Sequence, residues 1–155
     1  MTAADCATGH ELAQLNVARL VAPIDSPRLQ DFVANLDPVN ALAEGSPGFV
    51  WRLQDETGDA TGFRPFGDDI IVNLSVWRDV AALRSYVYQS AHTRLLRRRQ
   101  EWFEPMEQAH LVLWWVAVGH RPSLEEAAAR LDRLRTRGPT PRAFTLKRCF
   151  PPPGA

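Results

Sequence analysis

Cysteine is scarce in this chain: there are two, Cys6 and Cys149, near opposite ends and with no CxxC spacing. A disulfide framework needs several pairs and a structural zinc needs a clustered set, so neither is supported. Lysine is scarcer still, Lys147 being the single one. An excess of either charge is also missing, since Lys+Arg and Asp+Glu number 18 each. Without a net field, the bulk attraction to nucleic acid or to an anionic membrane is absent. The longest apolar run, Leu111 to Val118, falls well short of the roughly 20 residues that cross a bilayer. Residues 1–10 carry neither the basic nor the apolar segment of a secretory leader. A soluble, cytoplasmic protein is the expectation. No GxGxxG, P-loop or GxSxG run occurs, which removes the usual nucleotide-binding and hydrolase readings.

What is present is enough for one domain. A chain of 155 residues with 45% hydrophobic content buries a core without disulfides or metal. The expected organisation is a loose lead-in over residues 1–10, a single domain over 11–150 and a Pro-rich tail over 151–155. Leu12 to Leu20 reads as a strand, closed by Pro23. Ser26-Pro27 opens a helix through Leu29, Phe32, Val33 and Leu36, with a stop or kink at Asp37-Pro38 and another turn or two before Gly45. Phe49 to Leu53 is a second strand, followed by a polar turn over 55–59 and an irregular link. Ile70 to Trp77 is a third strand. Asp79 begins a long helix that runs to Phe103 before Pro105. His110 to Val118 is a fourth strand, apolar on both faces. Ser123 and Glu126 form a capping box for a helix ending at Gly138-Pro139, and Ala143 to Phe150 is a final extended segment.

The order βαββαβ, with an added C-terminal helix and strand, is an α+β, ferredoxin-like arrangement with helices on one sheet face. Period-two alternation places Asn73, Ser75 and Trp77 on one side of the third strand and Val72, Leu74 and Val76 on the other. Amide, hydroxyl and indole together suit a half-enclosed pocket better than open solvent. The expectation is that this polar parity lies on the uncovered face. A second subunit's sheet would close over it, giving a homodimer around a cavity.

The segments Leu12 to Arg19, Gly48 to Leu53, Asn73 to Trp77, Tyr88 to His92, Arg97 to Phe103 and Leu113 to Val116 resemble, in order, those of the DUF3291 family. The resemblance extends to the dimeric α/β-barrel superfamily, which includes antibiotic-biosynthesis monooxygenases, muconolactone isomerases and haem-degrading enzymes. It implies the fold more than a reaction.

His92 is the leading reactive candidate, because imidazole moves protons near neutral pH, and on a continuous helix Tyr88, His92, Leu95, Arg99 and Trp102 share one face. A structural histidine held by one hydrogen bond is the plainer account. Asn16 and Asn73 suit an enolate or carbonyl oxygen, with Ser75 beside them. Trp51, Trp77, Trp102, Trp114 and Trp115 supply flat apolar walls, although core packing explains most of them. Arg97 to Arg99 reads as a solvated helix face. His10, His92, His110 and His120 fall in different elements, so no metal or other cofactor is expected. The resulting expectation is a cofactor-independent monooxygenase or isomerase acting on an aromatic or polyketide-like compound, with catalytic His92, Tyr88 and Asn73. Asn16, Trp51, Ser75, Trp77, Trp102 and Trp114 would bind the ligand. The alternative is a non-catalytic ligand-binding protein, with haem ligation by His92 a third reading that only the superfamily resemblance suggests.

Overall fold

The sheet is organised around β1 (His10–Leu20), which pairs antiparallel with β3 (Ile70–Trp77) along one edge. Along the other edge it pairs with β5 (Leu111–Ala117) and, near its end, with the two-residue β4 (Phe103–Glu104). β2 (Phe49–Arg52) extends the sheet beyond β3. The computed structural model describes residues 9–56 and 58–154, with the side chains of residues 90, 91, 92 and 95 outside that description. The order β2-β3-β1-β5, antiparallel at every step, is the ferredoxin-like arrangement expected from the sequence. β4 was not foreseen.

Register fixes the two faces. Ala13, Leu15 and Val17 oppose Val76, Leu74 and Val72, while Trp114 and Val112 of β5 oppose Ala13 and Leu15. This apolar face packs against Ala127, Leu131 and Leu134 of the C-terminal helix Leu124–Arg137 and against Phe63 and Phe66 of the link between β2 and β3. On the other face, Leu12, Trp77 and Leu113 lie with Ala43, Ala82, Leu83 and Tyr86. Further along the same face, Leu20 and Ile71 lie with Leu29 and Trp102. Full burial of each large aliphatic side chain contributes about 1.5–3 kcal/mol, so both faces stabilise the fold.

The helices carry most of the corrections. After a 3-10 turn at Pro27–Leu29 come α1 (Gln30–Ala34) and α2 (Leu36–Glu44). The break falls at Asn35, and Pro38 lies in the first turn of α2, where its missing N–H costs nothing. The long helix expected over 79–103 is three: α3 (Val80–Val87), α4 (Ser90–Arg97) and α5 (Arg99–Trp102). Unbroken, it would run roughly 37 Å, longer than the roughly 26 Å of an eight-residue strand such as β3. Breaks after Val87 and Arg97 bring both Tyr86 and Trp102 down onto the sheet. They also dissolve the expected stripe from Tyr88 to Trp102: Tyr88 is 65% exposed and Trp102 is buried.

The C-terminal helix, α6 (Leu124–Arg137), begins at Ser123, whose hydroxyl accepts from the Glu126 backbone N–H at 3.0 Å. Among the described residues after it there is no strand; isolated bridges join Phe144 to Leu113 and Thr140 to Ala143. The largest correction concerns the sheet faces. Ser75 and Trp77 are buried on the face that carries α3, with the exposed Asn73 on that same face, so the polar parity is not on a side left without helices; α6 covers the opposite face. The aromatic residues Trp77 and Trp102 are covered by the chain's own helices.

Candidate functional site

The helix-covered face of the sheet is apolar at both ends and polar in the middle. Across β1 and β3 its rows run Leu12 with Trp77, Gln14 with Ser75, Asn16 with Asn73, and Ala18 with Ile71. β5 adds Trp115, Leu113 and Leu111 beside the first three rows. Trp77 is wedged between Phe49, edge-on at 5.4 Å, and Tyr86, stacked at 5.0 Å. At the far end Trp102 meets Phe32 and Phe103. Between these aromatic clusters Gln14 and Ser75 are buried, each 5% exposed, and Asn16 and Asn73 are exposed.

Hydrogen bonding fixes the direction of each polar group. Gln14 Nε2 lies 2.6 Å from Asn73 Oδ1, 2.8 Å from Ser75 Oγ and 3.3 Å from the Asn73 backbone carbonyl. A carbonyl can only accept, so the nitrogen of Gln14 faces that side and Asn73 must present Oδ1 to it. Trp77 Nε1 donates to Ser75 Oγ at 2.8 Å. The hydroxyl thus accepts two hydrogen bonds and its own hydrogen points elsewhere. Among the described residues, Asn73 Nδ2 has no acceptor, so the amide turns its donors away from Gln14.

One titratable group at this site is clearly perturbed. Burial raises the Tyr86 phenol from 10.0 to about 12, because a phenolate there would lose its hydration. Tyr86 therefore remains protonated through the physiological range.

The structure brings together four of the expected site residues, Asn16, Asn73, Ser75 and Trp77. Trp102 closes the far end of the same face. Trp51 and Trp114 belong to the opposite face, in the cluster beneath α6, and so line no common surface with Asn73. Trp114 Nε1 donates to Glu126 Oε2 at 2.9 Å, and the other oxygen of that carboxylate lies 2.7 Å from His120 Nε2. Tyr88 is exposed beyond the end of α3, and the His92 side chain lies outside the described residues. Gln14 and Tyr86 were missed. Period two along β1 puts Gln14 with Leu12 and Asn16, and helical spacing puts Tyr86 with Ala82 and Leu83. Both signals were present in the sequence.

Two surface concavities lie away from this strip. One of about 640 Å³ lies between α6 and the segment after it. The other, about 360 Å³, is lined by Leu96, Arg97, Arg99 and Gln100. Among the described residues no group of three or more His, Cys, Asp or Glu side chains could hold a metal ion, and no helix is long and apolar enough to cross a membrane.

No curated protein matches the chain. Similar solved structures include PA3566 from Pseudomonas aeruginosa, 15% identical with a TM-score of 0.47, over 73% of this chain and 95% of that one. SnoaB, a cofactor-independent oxygenase from Streptomyces nogalater, is 19% identical with a TM-score of 0.44, over 75% and 98% of the two chains. Rv0793 from Mycobacterium tuberculosis is 12% identical with a TM-score of 0.47, over 73% and 99%. A family model described as a domain of unknown function, DUF3291, matches residues 11–155, and the chain belongs to that family.

Proposed function

We propose that the protein binds a flat, oxygen-bearing small molecule between the sheet and its helices, over the strip formed by Asn16, Asn73, Gln14 and Ser75. One observation carries this reading. Gln14 Nε2, at 2.6 Å, fixes the carbonyl end of the exposed Asn73 amide, so the Nδ2 donors are held ready for a ligand oxygen without loss of side-chain freedom on binding. Aromatic clusters at both ends of the strip suit a ring system. An enol or phenol oxygen accepting from Asn73 is the chemistry that fits.

The finer reading is cofactor-free oxygenation or isomerisation of that enol. In oxygenation, a base removes a proton, the carbanion reacts with O₂, and a methylene becomes a carbonyl with release of water. In isomerisation, the same proton returns at another carbon. His92, on α4, is the residue proposed as the base. Tyr86 favours a second reading, binding without turnover, because its ring stacks on Trp77 at 5.0 Å and serves the site as packing surface.

Isothermal calorimetry against naphthols, anthrones and related flat phenols tests the proposal. Binding should weaken about tenfold in Asn73→Ala, the loss of roughly one charge-independent hydrogen bond. Absence of binding across the panel, or equal affinity in the variant, removes the reading. Product detected by mass spectrometry under O₂, and lost in His92→Ala, separates catalysis from sequestration.

A further inference from the structure

The concavity beside α6 is lined by four arginines. Arg130, Arg133 and Arg137 follow one another at three- and four-residue spacing along the helix, and Arg142 comes from the segment after it. Asp132 is the one carboxylate on the lining. Among the described residues none of these four guanidiniums forms an ion pair. Trp115 makes one wall, its ring fixed by the 2.8 Å hydrogen bond from Nε1 to the Phe150 carbonyl, and Pro141 and Pro153 add apolar surface.

Arg133 is the informative residue. Its Nε is buried with no acceptor. Other arginines in the molecule whose Nε turns inward find one: Arg135 donates to the Ala109 carbonyl at 2.8 Å, and Arg52 donates to Glu44 at 3.0 Å. A solvated helix stripe would leave Nε in water, whereas here the Arg133 side chain lies down against the protein, at the cost of one unpaired donor among the described residues. Arg130 is already held, its Nη1 donating to the Arg142 backbone carbonyl at 2.8 Å, so part of the arrangement is preorganised.

We propose that this concavity binds an organic polyphosphate of nucleotide size, with its phosphates on Arg133, Arg130 and Arg142 and its ring system against Trp115. A volume of about 640 Å³ accommodates such a molecule. Planar guanidiniums match phosphate oxygens in pairs, which point charges do not. The chain's zero net charge does not weigh against this, because the field that matters is the local one. The site is separate from the Asn73 strip and does not depend on the reading given to it.

Calorimetry with ATP and with tripolyphosphate tests the assignment, using Arg133→Gln, Arg142→Ala and, as a control of equal charge change, Arg78→Ala. Circular dichroism reports folding, and Arg142, being exposed, keeps the test valid if Arg133→Gln does not fold. ATP should bind at one site, weakened about tenfold by either groove substitution and unchanged by Arg78→Ala. No binding of ATP, or equal weakening by all three, overturns the proposal. Tripolyphosphate binding as tightly as ATP overturns the role of Trp115. Capture of a single-stranded oligonucleotide without ATP binding overturns the small-ligand assignment.

Discussion

Gln14 reaches past its direct cross-strand partner Ser75 to Asn73, so that one amide nitrogen holds two neighbouring rows of the sheet at 2.8 and 2.6 Å. The buried glutamine thereby sets the orientation of the exposed asparagine.

Gln14→Ala should remove both contacts and leave space beneath the helices. A loss of about 2 kcal/mol is expected, from the missing hydrogen bonds to the buried Ser75 hydroxyl and the exposed Asn73 amide. Urea denaturation reads it as a lower midpoint. A midpoint within error of the parent would mean that Gln14 does not organise the strip.

Ser75→Ala tests the next link. Trp77 Nε1 would lose its acceptor inside an aromatic cluster where water has little access, at a cost of about 1–3 kcal/mol. Ser75→Thr retains the hydroxyl and should recover part of the loss. If alanine and threonine behave alike, the hydroxyl is not what Trp77 requires.

Tyr86 makes stability fall in alkali. The phenol titrates at 10.0 when unfolded and about 12 when folded. Between those values the native state holds a proton that the unfolded state has released, so stability decreases as pH rises through this window. Tyr86→Phe should flatten that part of the profile, measured as denaturation midpoint against pH. Parallel profiles for parent and variant would place the alkaline loss elsewhere.

Gly48 has φ of +85°, and a Cβ there would lie 2.4 Å from the Ala82 Cβ. Gly48→Ala should therefore cost about 2 kcal/mol or more, from backbone strain and the clash with α3 together. Adding Ala82→Gly removes the clash alone and should restore part of the melting temperature. No recovery in the double variant would assign the whole effect to the backbone.

The sequence made the strands legible because their faces alternate: Ile70 to Trp77 matches β3 at both ends. The helical layer was less legible. Continuous helical periodicity ran through 79–103, and nothing local shows where a chain must bend to follow a sheet it has not yet met. The polar parity of Asn73, Ser75 and Trp77 was read correctly as one face but assigned to the wrong side, because alternation separates two faces without saying which one the helices cover. The partners of each polar group escaped the reading for a similar reason. Gln14 lies 59 residues from Asn73, and only the pairing of β1 with β3 brings them together.

α6 follows every strand among the described residues, yet it covers the inner row from Ala13 to Val17. During synthesis the four principal strands can be complete while one side of their sheet still has no cover. A chain released before Leu124 would thus present a contiguous aliphatic surface to chaperones, and truncations in this region should accumulate as insoluble protein, whereas those beyond Arg137 leave that surface covered by α6.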